Sequence, residues 1–228
     1  MNASDIMTHE VISVAPDTSV AEIVSLMLQH HISALPVVQD DGLVGIVTEG
    51  DLLRRVEIET DARRSRWLDF FAEAPTLAAE YAKSHGRKAA DVMTANVVSV
   101  RADTPIADIA TTLATHHIKR VPVLRDGRLV GIVSRANLLQ ALASRQQPAV
   151  PARADDREIR AALLTELGRQ RWAVSRVHYN PVVEGGVVHF WGWIHSEAEW
   201  KATLVAAENI PGVRKVVDHL RRGSWLGL

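Results

Sequence analysis

Two short stretches of the chain place a hydroxyl three residues ahead of a hydrogen-bond acceptor. In "GIVTEGD" the pair is Thr48 and Asp51; in "GIVSRAN" it is Ser134 and Asn137. Each stretch reads as an apolar strand running into the start of a helix. That spacing sets hydroxyl and acceptor on one side of a cleft. A helix N-terminus there adds backbone N–H groups and the positive end of its dipole, which favour phosphate. A carboxylate accepts hydrogen bonds from two adjacent hydroxyls, the pattern a ribose presents. Asn137 offers one acceptor oxygen where Asp51 offers two, and without charge assistance its bonds are roughly half as strong. The same pairs also meet the needs of ordinary helix N-caps, which require no ligand.

The two stretches belong to a repeat. Residues 5–53 align with 91–139 without a gap, with 23 identities in 49 positions. A repeat of this length is a duplicated supersecondary unit. "VISV" and "VVSV" have β character. Asp17-Thr18 and Asp103-Thr104 offer helix caps, and Pro105 suits a first helical turn. "SVAEIVSLMLQHH" and "PIADIATTLATHH" then carry apolar residues at helical spacing. "ALPVV" and "RVPVL" return to strand, and Asp40-Asp41-Gly42 and Asp126-Gly127 are hairpin-turn residues. "LVGIV" is the next strand, and "EGDLLRRV" and "RANLLQAL" open a second helix. Each unit is therefore β-α-β-β-α. Packing two such units together buries the apolar sheet face of each about a pseudo-twofold axis, with one cleft per copy.

The copies differ in charge beside the clefts. Lys119, Arg120 and Arg135 stand where copy one has Ser33, Ala34 and Glu49. His30-His31 and His116-His117 invite a metal reading. Adjacent helical residues point about 100° apart, so such a pair seldom chelates one ion. Histidines at a helix C-terminus complement its dipole instead.

Between the copies, residues 57–88 read as a helical insert with Trp67, Leu68, Phe70, Phe71, Leu77 and Tyr81 as apolar residues. Residues 146–154 are a Pro/Ala linker. Residues 155–222 form a separate small domain of order α-β-β-α-β, followed by a tail at 223–228. Its strands alternate in "VSRVHYNPVVEGGVVHFWGWIHS" and turn at Glu184-Gly185-Gly186. Trp172, Trp191, Trp193, Trp200 and Trp225 all fall in this last third, leaving only Trp67 before it. Trp191 and Trp193 share a strand face, which suits core or a protein interface better than a lipid surface.

Composition narrows the function. A net charge of −1 over 228 residues argues against nucleic-acid binding. The absence of cysteine excludes disulfides, thiolate metal sites and cysteine nucleophiles. No secretory signal or membrane-spanning run is visible, and the expected location is cytoplasmic. No nucleophile–base pair, paired-carboxylate site or Gly-rich phosphate loop stands out, so a non-catalytic protein is expected.

The duplicated pattern "DIMT…VISV…HHISALPVV…GIVTEGD" and "DVMT…VVSV…HHIKRVPVL…GIVSRAN" resembles a tandem CBS-domain (Bateman) module over residues 1–145, with copy one at 5–56 and copy two at 89–145. The resemblance implies an adenosyl ligand: AMP, ADP or ATP, with NAD and S-adenosylmethionine as further candidates. It implies Asp51 as a ribose ligand and Thr48 as a phosphate contact. Ser134 is the equivalent hydroxyl of the second cleft, where Asn137 departs from the family aspartate. Lys119, Arg120 and Arg135 become phosphate-contact candidates. Adenine would slot between Val11-Ile12 or Val97-Val98 and the strand near Leu35 or Val121. Which cleft is occupied stays open. The family also implies homodimerisation through the CBS helices.

Residues 155–222 resemble a BON domain through "DREIRAALLTEL", "VEGGVVHFWGWIHSEAEWKATLVAAENIPGV" and "VVDHL". BON domains are proposed to bind phospholipid, chiefly in envelope proteins. The expectation is thus a mixed α/β protein that senses an adenosyl nucleotide and passes the signal through dimer geometry or the BON domain to a protein partner. The alternative is a lipid-associated stress protein in which BON binds phospholipid or protein and the CBS pair is scaffold; liposome co-sedimentation separates the two.

Overall fold

The computed structural model describes residues 1–53, 83–145, 155–175 and 178–223. The apolar residues of the expected insert, the linker at 146–154 and Trp225 lie outside these residues. The fold is mixed α/β, and it assembles as two compact units. One holds Met1–Glu10, Ser99–Arg125 and Val130–Leu228; the other holds Val11–Val98 and Asp126–Leu129.

The unit containing Val11–Val98 is built on copy one. Helix α2 (Val20–His30) follows a short N-terminal turn of helix, α1 (Ala3–Ile6), which belongs to the other unit. The hydroxyl of Ser19 accepts from the Glu22 N–H at 3.2 Å and caps α2. This start lies just past the expected Asp17-Thr18, because the Thr18 hydroxyl already accepts from the Ala15 N–H. Ile23 and Met27 bury one face of α2 against Leu35, Val37 and Val47. Strands β1 (Ala34–Gln39) and β2 (Gly42–Thr48) form an antiparallel hairpin. Its turn residues Asp40 and Asp41 sit at φ 48° and 63°, the left-handed pair that matches strand twist. "VISV" contributes only a single parallel bridge, Val14 to Val37. Helix α3 (Glu49–Leu52) begins at the end of β2. Helix α4 (Ala89–Val92), from the start of copy two, completes this core with Ala89 and Val92.

The other unit repeats the plan. Strand β3 (Val100–Arg101) pairs in parallel with β4 (Arg120–Arg125), and helix α5 (Ile106–Thr115) buries Ile109 and Leu113. Pro105 is the cap of α5, again slightly later than expected, and the Thr104 hydroxyl accepts from the Arg101 N–H. The turn at Asp126 and Gly127, at φ 52° and 79°, and the first two residues of β5 (Arg128–Ser134) are counted with the unit of Val11–Val98; the rest of β5 and helix α6 (Arg135–Arg145) belong to this one.

Each copy is closed by the opening segment of the other. Thr94 exchanges backbone hydrogen bonds with Ile46, and Thr8 exchanges them with Ile132. Met93 fills the space that a Cβ at Gly45 would need, and Met7 does the same at Gly131. "DVMT" therefore covers copy one and "DIMT" covers copy two. The glycine in each "LVGIV" strand is what lets the methionine lie against the backbone.

The terminal domain runs α7 (Asp156–Arg169), β6 (Tyr179–Glu184), β7 (Val187–Ile194), α8 (Glu197–Glu208) and β8 (Lys215–Arg222). Strand β6 pairs with β7 antiparallel and β7 with β8 in parallel. Ile159, Leu163 and Leu167 on α7 pack on Tyr179, Val183, Val188, Phe190 and Ile194 of the sheet. The Asp156 carboxylate accepts the N–H groups of Gly185 and Gly186, both at 2.8 Å, and ties the hairpin turn to the start of α7. No helix among the described residues is long and apolar enough to cross a membrane.

Candidate functional site

Thr48 ends β2 and caps α3. Asp51 Oδ2 accepts from the Thr48 backbone N–H at 2.9 Å and from the Thr48 hydroxyl at 2.8 Å. The cap is thus formed on one carboxylate oxygen. The other, Oδ1, faces Lys83 Nζ at 3.4 Å. Asp51 is largely buried, with its side chain 13% exposed, while Lys83 is 46% exposed. Leu35 is fully buried and shares its core cluster with Ile12; Val11 beside it is partly buried. Thr48, Asp51, Leu35, Val11 and Ile12 therefore all fall in one compact unit.

In copy two, Asn137 Oδ1 accepts from the Ser134 N–H and the Ser134 hydroxyl, both at 2.8 Å. The remaining end of the amide is a donor. Asn137 Nδ2 lies 3.4 Å from Gln140 Oε1, and the residue is only 5% exposed. Lys119 and Arg135 are exposed, and the Arg135 N–H donates to the Lys119 carbonyl at 3.1 Å. Arg120 opens β4 and Val121 is fully buried. Val97 and Val98 belong to the unit of copy one, so the expected residues of the second cleft are divided between the units.

His31 and His117 end their helices in left-handed conformation, at φ 50° and 53°. Among the described residues no three His, Cys, Asp or Glu side chains gather as a metal site. In the terminal domain, Trp191 and Trp193 lie on the sheet face opposite Phe190. Trp191 stacks on His219 at 3.7 Å between ring centroids, and Arg221 lies over Trp193 at 5.6 Å. Trp200 donates to Asp218 at 2.8 Å beneath Arg222.

Arg160 was not among the residues expected from sequence. It sits on α7 beside Ile159 and is 4% exposed. Its Nε donates to the Pro181 carbonyl at 2.7 Å. Nη1 donates to the Ser4 carbonyl at 2.8 Å and meets His9 Nε2 at 2.6 Å. Nη2 donates to the Met7 carbonyl at 2.8 Å and to Asn180 Oδ1 at 2.9 Å. Burial lowers its pKa to about 10. Burial, with the charges of Arg160 and Arg125, lowers that of His9 to about 4, so the ring is neutral and accepts at Nε2. The signal in the sequence was a cation next to the Ile159, Leu163, Leu167 stripe of an amphipathic helix.

Comparison with known proteins places this architecture. Family models match residues 3–58 and 89–144 as CBS domains and residues 155–223 as a BON domain. The chain belongs to the CBS-domain proteins, with a CBS pair followed by a BON domain. It is 30% identical over 160 residues to the uncharacterized protein MJ1426 of Methanocaldococcus jannaschii, covering 62% of this chain and 91% of that one. It is 33% identical over 139 residues to the chloroplastic CBS domain-containing protein CBSX1 of Arabidopsis thaliana, covering 56% of this chain and 57% of that one. Among solved structures, CBSX2 in complex with AMP matches with a TM-score of 0.56 and 32% identity, over 64% of this chain and 99% of that chain.

Proposed function

We propose that this chain is a non-catalytic regulatory protein that senses an adenosyl nucleotide at copy one and signals through its BON domain. The observation that carries this reading is the division of labour at Asp51. One oxygen holds the Thr48 cap, and the other faces away from that cap toward Lys83. An acceptor oxygen so placed suits a ribose hydroxyl, and an exposed lysine beside it suits a phosphate. In this reading adenine slots between Val11-Ile12 and the backbone of the strand near Leu35. The AMP complex of CBSX2, at 32% identity, supports the ligand class. Copy two holds the basic residues Lys119, Arg120 and Arg135, which serve phosphate if that cleft is filled. The module spans 1–145 and the terminal domain 155–222, joined at 146–154. Dimerisation through the CBS helices is part of this reading. A groove of about 910 Å³ among the described residues, lined by Val20, Val24, Met27, Leu28, Leu52 and Leu53, supports it.

Thermal unfolding of the full chain with AMP, ADP, ATP, NAD or S-adenosylmethionine tests the reading. A ligand at a hundred to a thousand times its dissociation constant stabilises by about 3–4 kcal/mol. The expected result is a rise in Tm with at least one of the five, lost in Asp51→Ala. No shift with any of them overturns it.

A further inference from the structure

In copy one, Asp51 meets a cation as well as its own cap. Lys83 Nζ lies 3.4 Å from Asp51 Oδ1, and both residues fall within the unit of Val11–Val98, together with Thr48, Leu35, Val11 and Ile12. The contact is longer than the about 2.7–2.9 Å of a tight charge-assisted bond, and the lysine side chain is nearly half exposed. A pair of that kind adds little to folding. Oδ1 retains a second lone pair beside the ammonium. The ammonium carries three donors and retains two beyond the one turned to Asp51. Carboxylate and lysine therefore each have room for a further partner at the same time.

The charges around the pair limit what those partners are. Copy one has Ser33 and Ala34 where copy two has Lys119 and Arg120, and Glu49 where copy two has Arg135. Glu49 lines the apolar groove beside α3 in company with Arg87. Among the described residues, Lys83 is the cation that pairs with Asp51. The two cancel to no net charge, and a ribose hydroxyl at Oδ1 leaves that balance untouched. The 5′ substituent of the ligand then decides the electrostatic outcome. A phosphoryl group is attracted to the ammonium, and the sulfonium of S-adenosylmethionine is repelled by it. A compact charge on a flexible stem suits a phosphoryl oxygen.

We propose that Lys83 is the specificity-determining residue of the copy-one site, selecting adenosine 5′-phosphates over uncharged adenosine and over the cationic S-adenosylmethionine. It does so by bridging the ribose-binding carboxylate of Asp51 to the 5′-phosphate of the ligand. This rests on the reading of copy one as the nucleotide site. A merely structural lysine would alter stability without ligand and weaken every adenosyl ligand alike.

The test is titration calorimetry of the full chain as wild type, Lys83→Gln, Lys83→Arg and Asp51→Ala, with AMP, adenosine and S-adenosylmethionine. Tm without ligand reports that each variant is folded, and it is expected to be unchanged in Lys83→Gln because the ion pair is exposed. The wild type is expected to bind AMP tightest of the three. Lys83→Gln is expected to lower the ratio of AMP to adenosine affinity by about tenfold or more, the size of a lost hydrogen bond to a charged group. Lys83→Arg keeps the cation and is expected to hold most of that ratio. An unchanged ratio in Lys83→Gln, with AMP binding lost in Asp51→Ala, overturns the proposal and leaves the copy-one site standing. A ratio lost equally in Lys83→Arg assigns the effect to shape rather than charge and overturns it too. If AMP binds Asp51→Ala undiminished, or the wild type binds none of the three, the reading of copy one has failed and the proposal falls with it.

Discussion

The two CBS copies build the same cap from different side chains. At Asp51 one oxygen takes the Thr48 N–H and hydroxyl at 2.9 and 2.8 Å; at Asn137 the oxygen takes the same groups of Ser134 at 2.8 Å each. Capping therefore cannot tell the copies apart. What separates them is the atom the cap leaves over. Copy one leaves a carboxylate oxygen, an acceptor. Copy two leaves an amide nitrogen, a donor, and directs it to Gln140. Gln140 Oε1 also lies 3.4 Å from Asn180 of the terminal domain. A repeated motif can thus keep its structural duty in both copies while only one retains a second acceptor atom.

The largest effect that can break this comparison comes from truncating the two acceptors in the presence of AMP. Asp51→Ala is expected to lose the about 3–4 kcal/mol of ligand stabilisation and Asn137→Ala to keep it. An equal loss in both, read as Tm shifts, would mean that the copies work as one site. Next comes the glycine pair. Alanine at Gly131 or Gly45 must displace Met7 or Met93, and overpacking of this kind costs about 1–3 kcal/mol. Gly131→Ala is expected to cost more, because Met7 is 1% exposed and the Thr8 carbonyl also crowds the new Cβ at 3.0 Å. Urea unfolding midpoints rank the two, and a neutral Gly131→Ala would show that Met7 can move aside.

A gain of function sharpens the comparison further. Asn137→Asp restores an acceptor to copy two, and the AMP stoichiometry from titration calorimetry is expected to rise from one to two per chain. A stoichiometry that stays at one would place the difference in the surroundings of residue 137 rather than in its charge. The smallest effect is the pH response of His9. Its folded pKa of about 4 lies below the ordinary 6.5, so the folded state resists protonation. The junction with Arg160 is then fully stable above about pH 6.5 and weakens as pH falls toward 4. His9 is exposed as a residue, so solvent moderates the change. Urea midpoints at pH 7 and 4.5 should draw together in His9→Gln; an identical pH response in wild type and variant would remove His9 from the junction.

Local features were legible in the sequence. The hairpin turns followed from Asp40-Asp41 and Asp126-Gly127, whose side chains tolerate left-handed backbone. The terminal α-β-β-α-β order followed from periodicity and the Gly185-Gly186 turn. Thr48 and Asp51 were marked by type and spacing, although which oxygen the cap consumes depends on coordinates. Helix starts were misplaced by a residue or two, because Thr18 and Thr104 cap the preceding turns instead of the helices. The exchange of opening segments was hidden for a different reason. "DIMT" and "DVMT" are nearly the same, so apolar pattern alone cannot say which covers which strand. Arg160 was hidden because its five acceptors are mostly backbone carbonyls, which leave no trace in residue type.

The exchanged segment has a consequence for how the protein is made. The Ala3 and Ser4 N–H groups donate to the Thr104 and Ala102 carbonyls, Met7 lies over Gly131, and the Ser4 and Met7 carbonyls are taken by Arg160. On the ribosome, residues 1–10 precede all of these partners by nearly a hundred residues or more. They must wait, unseated, while copy one is completed and copy two and the terminal helix emerge. Contacts of such sequence separation slow folding, because the loop must close before any bond rewards it. Residues 3–7 thus reach their place only after residues 102–160 have been made, and until then "DIMT" is an apolar segment that only those later residues can cover.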